Sequence, residues 1–138
     1  MLALKIEYFD MRTPKDIEPT FEAAIKRRPD GLFVLTNSFE RPHRKRIVDL
    51  ASKARLPGMY FGPMLVEDGG LMSYAANDTD LYRRAAVFVD KILKGAKPSE
   101  LPVEQPTKFD LVINLNAAKQ IGLTIPPQVL ARADRVIK

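Results

Sequence analysis

The chain contains no cysteine, which excludes disulfides, thiolate metal sites and a cysteine nucleophile. It contains a single histidine, His43, so one chain cannot build a zinc site from several imidazoles. There is no tryptophan, and no apolar run approaches the length of a membrane span, which predicts no membrane insertion. The N-terminal residues show no basic stretch followed by an apolar one, so they do not read as a signal peptide. If Met1 is the true start, the expected location is the cytoplasm. Low complexity is absent as well: 46% hydrophobic and 28% charged residues are ordinary globular values, and 138 residues can bury a core. A formal charge of +5 helps solubility and names no partner.

What is present is an alternation of strand and helix patterns. Leu4, Ile6 and Tyr8 alternate with Lys5 and Glu7, predicting a half-buried edge strand. Thr13, Pro14 and Asp16 form a helix start, and Ile17, Phe21, Ala24 and Ile25 make one apolar stripe behind it. Residues 32–35 form a continuous apolar run, expected to be a strand covered on both faces. A second helix follows over 42–55, a third strand over 56–61, and a connector over 64–70 with room for one helical turn. A fourth strand spans 71–74. The third helix, 78–94, carries two adjacent apolar rows that predict deep burial, and Gly95 is its expected left-handed stop. Pro98, Pro102 and Pro106 make 97–107 an extended linker. A fifth strand spans 109–115, and a short helix from Asn116 stops at Gly122. Pro126 and Pro127 open a last helix expected to reach Ile137. The fold class is α/β, with parallel strands and flanking helices.

In such sheets ligands sit beyond the carboxyl ends of the strands. That position holds Asn37 and Ser38 after the second strand, Tyr60 at the end of the third, and the elbow Ser73, Tyr74 and Asn77 after the fourth. These six are the candidate ligand contacts; read from the residues alone, the elbow is equally a plain loop. Other constellations have plainer readings. Arg41, His43, Arg44, Lys45 and Arg46 could grip phosphates, but they sit on a helix start as a solvated face, and no nucleic-acid partner is expected. His43 lies inside that basic run and no nucleophile motif accompanies it, so no catalytic residue is assigned and an enzyme is not expected. Asp78 and Asp80 are explained by helix capping and the dipole. The Gly69-Gly70 pair fits neither phosphate-binding glycine pattern and reads as a backbone turn. No metal and no cofactor are expected.

Several segments together carry a resemblance. They are Gly69-Gly70-Leu71-Met72-Ser73-Tyr74, the run from Asp80 to Ala86, the run from Val89 to Pro98, the stretch from Leu101 to Phe109, Leu111 to Leu115, and Gly122 to Pro127. In this order they closely resemble the C-terminal half of the ABC-transporter substrate-binding proteins of the tryptophan/tyrosine-type group, which have the type I periplasmic-binding-protein fold. The resemblance implies a non-catalytic receptor with two Rossmann-like lobes that close by a hinge on a small organic solute such as an aromatic amino acid, and present it to a membrane permease. It implies a periplasmic location. It places residues 1–63 in the second lobe, makes 64–107 a return segment to the first lobe with hinge and linker, and gives 108–138 the last crossing strand and C-terminal helices. Ala75 and Ala76 depart from the glycine, often followed by proline, that the family has after its Ser-Tyr pair.

By the same resemblance the chain begins in mid-fold and is a truncated member. The strand between those of residues 4–8 and 32–35 is then absent, and a homo-oligomer, a dimer with swapped elements, is expected to fill the gap. The alternatives are a cytoplasmic sensor or interaction module on the same fold, and a relic that binds nothing.

Overall fold

The computed structural model describes residues 3–35 and 41–138. Among these, five strands form one sheet in the order β1-β2-β3-β4-β5. They are β1 (Leu32–Val34), β2 (Gly58–Tyr60), β3 (Met72–Ala76), β4 (Phe109–Asn114) and β5 (Arg135–Ile137). The helices are α1 (Ile17–Lys26), α2 (Arg44–Lys53), α3 (Pro63–Glu67), α4 (Asp78–Leu93), α5 (Leu115–Gln120) and α6 (Pro127–Leu130). The α/β class therefore stands. β1–β2, β2–β3 and β4–β5 pair in parallel, while β3 and β4 run antiparallel over five residue pairs.

The antiparallel pair follows from the linker. After β3 the chain climbs α4, about 24 Å long at 1.5 Å per residue, and the extended stretch retraces it. Arg84 of α4 donates to Thr107 at 2.9 Å and pairs with Glu104. The Asn77 N–H then donates to the Lys108 carbonyl at 3.0 Å. The chain thus re-enters the sheet beside the exit of β3, and β4 can only run back along it.

Register assigns the two faces. Val34, Tyr60, Ser73 and Val112 lie side by side on one face; Phe33, Met59, Met72, Ile113 and Val136 lie on the other. The first face is covered by a core of Ile17 and Phe21 from α1, Ile47, Val48 and Ala51 from α2, and Leu65 from α3, packed with Val34 and Tyr60. The second carries a core of Ile113, Leu71, Ala117, Ala118 and Ile125, with Met72, Leu111 and Val129 against it. The start of α1 is built as the sequence predicts: the Asp16 carboxylate accepts from the Thr13 N–H at 2.7 Å and from the Arg12 N–H at 3.1 Å. Gly95 ends α4 at φ +100°, a conformation that an L side chain resists.

Four expectations are corrected. Residues 3–12 are not a strand, and Leu4 and Tyr8 are 74% and 89% exposed. Alternation makes a strand only where a ladder accepts its backbone, and this segment instead runs beside α1, with Glu7 3.7 Å from Arg27. β1 is covered on one face only: it is the edge strand, and Phe33 is 60% exposed because α5 and α6 pack at the opposite end of the sheet. α4 buries none of its residues, and Tyr82 and Leu93 are 77% and 82% exposed. The last helix does not reach Ile137. α6 is a single turn, and the chain then breaks at Asp134, whose carboxylate accepts from the Leu111 N–H at 2.8 Å, so that Arg135–Ile137 joins β4.

Candidate ligand-binding site

The elbow between β3 and α4 is built by alternation and a cap. Successive β3 side chains point to opposite faces, so Ser73 and Tyr74 cannot face one ligand from the same side. Ser73 lies beside Tyr60 and Val112 and is 1% exposed. Its Oγ has no hydrogen-bond partner among the described residues. Buried hydroxyls are normally satisfied, so this one is the unusual polar atom of the elbow. Tyr74, on the other face, is 54% exposed and stacks on Phe109, with ring centroids 5.5 Å apart and planes 20° apart. Phe109 is partly open as well, so this face presents a flat aromatic pair.

Asn77 is occupied by the protein. Its Oδ1 accepts from the Asp80 N–H at 2.8 Å, capping α4, and its Nδ2 donates to the Asp110 carboxylate. Asp78 and Asp80 sit in the first turn of α4, where the helix dipole favours them. Tyr60 lies in the core, and burial pushes its phenol up to about 12. Its ring lies so close to Gly70 that a Cβ there would come within 2.7 Å of it. Asn37 and Ser38 lie outside the described residues. The structure thus brings Tyr60 and Ser73 together as a buried floor on one face, sets Tyr74 on the other, and commits Asn77 to the α4 cap.

Two hollows lie elsewhere. One, of about 10 Å³, is lined by Val48, Tyr60, Gly70, Leu71, Ala117 and neighbours, and has room for about one water. The other is an open depression of about 370 Å³ between Tyr8, Phe9, Asp10 and the first turns of α1. Neither touches Ser73, Tyr74 or Asn77. The second was not foreseen, because it depends on residues 8–10 lying against α1 rather than in the sheet. The residue that sequence reasoning missed at the elbow is Phe109. Its pairing with Tyr74 becomes visible only with the antiparallel β3–β4 register.

Three residues of the basic run are engaged in ion pairs. Arg44 pairs with Asp68, Arg46 with Glu18, and Lys45 with Asp49 at 3.1 Å. Beside Arg46, the Glu18 carboxyl is held below its ordinary value, chiefly by the hydrogen bonds from that guanidinium. Among the described residues no cluster of His, Asp and Glu could hold a metal ion, and no helix is long and apolar enough to cross a membrane.

Comparison with known proteins gives the family and the fold. A family model described as ABC transporter substrate binding protein matches residues 2–137. A search of the curated proteins gave no match. Among solved structures, an ABC domain from Streptococcus pneumonia in complex with L-Trp is similar at 28% identity and TM-score 0.86, over 98% of this chain and 46% of its own. A conserved domain protein from Vibrio cholerae is similar at 29% identity and TM-score 0.81, over 90% of this chain and 42% of its own. A ligand-free, open substrate-binding protein with adhesive properties from Clostridium difficile shares the fold at 20% identity and TM-score 0.67, over 93% of this chain and 42% of its own. The chain spans less than half the length of these solved proteins. On the family match over nearly its whole length, the chain belongs to the ABC transporter substrate-binding proteins.

Proposed function

We propose that the chain serves as the solute-binding component of an ABC import system and takes a small organic ligand, an aromatic amino acid being the leading class. One observation carries this reading: the solved domain in complex with L-Trp is similar to 98% of this chain at TM-score 0.86. The exposed Tyr74–Phe109 pair supports an aromatic ligand, because a flat apolar solute stacks on such a surface. Ser73, buried on the opposite face of β3 beside Tyr60, is proposed as support behind that surface. Asn37 and Ser38 are proposed contacts from the loop after β1. Tyr60 and Asn77 are proposed as the support beneath and beside them.

The remaining parts of the reading follow from the family. The proposed partner is an ABC permease, and the proposed location is the periplasm. Residues 1–63 would belong to one lobe, 64–107 to a return segment with the hinge, and 108–138 to the last crossing; the single sheet draws strands from all three. Ligand selects the closed arrangement of the lobes by touching both. The rival reading, a fold that binds nothing, draws support from Asn77, whose amide is already satisfied by Asp80 and Asp110. A thermal-shift panel of the common amino acids separates the two. The proposal expects the midpoint to rise with tryptophan, tyrosine or phenylalanine and not with lysine or glutamate. A flat response to all of them would support the rival.

A further inference from the structure

Among the described residues, five helices end on a residue in the left-handed conformation, and three of these stops are glycine: Gly69 after α3, Gly95 after α4 and Gly122 after α5. The other two are arginine. Arg28 closes α1 at φ +52° and Arg55 closes α2 at φ +53°. An L side chain is strained there, where glycine completes the cap freely. Both caps are otherwise regular: the Arg28 N–H donates to the Ile25 carbonyl at 2.9 Å, and the Arg55 N–H to the Ser52 carbonyl at 3.0 Å. The helix dipole accounts for Lys26 and Lys53 in the last turns. It does not account for arginine at the strained position, since a cation one residue earlier would serve the dipole as well. Strain kept at two equivalent positions is characteristic of side chains that are in use.

The two arginines stand side by side. α1 leads into β1 and α2 into β2. These strands are parallel neighbours, and the Leu32 N–H donates to the Pro57 carbonyl at 2.8 Å just after the two turns. Ser52, at the end of α2, lies 3.5 Å from Gln120 of α5. The edge of the sheet at the amino ends of β1 and β2 thus gathers Lys26, Arg28, Lys53, Arg55 and Lys119, all exposed. None of the five forms an ion pair among the described residues, whereas Arg44, Lys45 and Arg46 at the start of α2 are all paired. The nearby acids are Asp30 and Glu7, and Glu7 is already shared by Lys5 and Arg27. This edge is the end of the sheet opposite the elbow, which follows the carboxyl end of β3.

We infer that this edge is a docking surface for an anionic phospholipid bilayer, which it touches without inserting. The charges are spread over three chain segments and enclose no anion site. The hollow beside them, between Ser52, Leu56 and Gly70, has room for about one water. Residues 26–31, 53–57 and 119–122 include no aromatic side chain, whereas protein interfaces centre on aromatic anchors and are poor in lysine. A broad set of long basic side chains suits a plane of phosphate headgroups, to which each is attracted separately.

The test is co-sedimentation of this chain with vesicles of phosphatidylcholine alone, or with about one-third phosphatidylglycerol, at about 50 and about 300 mM salt. Binding is expected to the anionic vesicles only, and it should fall at the higher salt. Arg28→Gly combined with Arg55→Gly should weaken it about tenfold, a few-fold per charge removed. The thermal midpoint of that variant should be unchanged or higher, because two strained caps are relieved. Lys53→Gln with Lys119→Gln, both at exposed positions, should weaken binding by about the same factor. Lys97→Gln with Lys108→Gln removes the same net charge elsewhere and should leave binding within about twofold. No binding to anionic vesicles at the lower salt would overturn the inference. So would equal losses from the edge pairs and the Lys97/Lys108 pair, or binding to a DNA duplex with none to vesicles. No solute enters these measurements, so their failure is distinct from failure of the solute-binding reading.

Discussion

Asn114 ties β4 to a segment 48 residues away: its Nδ2 donates to the Val66 carbonyl at 3.1 Å, and both residues are buried. Its Oδ1 accepts from the Ala117 N–H at 3.0 Å, capping α5. One side chain therefore satisfies the end of α3 and the start of α5. Asn114→Ala would leave a helix N–H unpaired and take from the Val66 carbonyl one of its two donors, the Gly69 N–H remaining at 3.1 Å. The expected loss is about 1–3 kcal/mol, from one cap and one hydrogen bond. Urea unfolding followed by circular dichroism checks it through a fall in midpoint at unchanged slope.

Gly70 should tolerate no side chain. A Cβ there would stand 2.7 Å from the Leu65 carbonyl oxygen and 2.7 Å from the Tyr60 ring. The Gly70 N–H also donates to that same carbonyl at 2.8 Å, so the backbone cannot retreat without losing the bond. Gly70→Ala is expected to destabilise by about 2–3 kcal/mol through overpacking. Gly62→Ala is a useful contrast: nothing lies within 4 Å of its Cβ position, and only its φ of +124° opposes the change. Thermal midpoints of the two variants check the ordering, with Gly70→Ala the lower.

Legibility differed by element for physical reasons. The start of α1 was readable because Thr13, Pro14 and Asp16 act on their own backbone within four residues. The end of α4 was readable because Gly95 relieves a purely local strain. What a face packs against is not local. The two rows of α4 correctly announced an apolar helix, but periodicity cannot say whether a covering surface exists, and among the described residues none covers α4 enough to bury a side chain. The alternation at Leu4, Ile6 and Tyr8 likewise describes a side-chain pattern without supplying a ladder. Proline at the start of α6 marked its first turn, while the β-branched pair Val136-Ile137 favours the strand that forms there. At the site, Ser73, Tyr74 and Asn77 were found as a cluster in sequence, but the two-residue period of β3 separates the first two. Phe109 was invisible until register joined it to Tyr74.

Stability should fall at alkaline pH through Tyr60. An unfolded tyrosine ionises near 10, and burial raises the folded-state value to about 12. The folded state therefore holds the phenol proton more tightly than the unfolded state does. The contribution is complete below pH 10 and is lost as the pH rises through 12, about 2–3 kcal/mol in all. Tyr60→Phe removes the titrating group, and its stability should be flatter than that of the native chain between pH 10 and 12. Denaturant midpoints measured in half-unit steps check this.

Ser73 offers a separation of fold from binding. Its Oγ forms no hydrogen bond among the described residues, so Ser73→Ala removes an unsatisfied polar atom and should leave stability unchanged or raise it by about 1 kcal/mol. The hydroxyl is buried on the face opposite Tyr74, so the same variant should leave solute affinity within about twofold. Thermal unfolding and ligand titration of one preparation check both halves.

The most direct measurement is isothermal titration calorimetry of L-tryptophan into the folded chain at several temperatures. The solute-binding account predicts a saturable heat with a stoichiometry of one ligand per chain and a negative heat-capacity change from burial of the indole. No heat from tryptophan, tyrosine or phenylalanine, in a preparation that unfolds cooperatively, would contradict it.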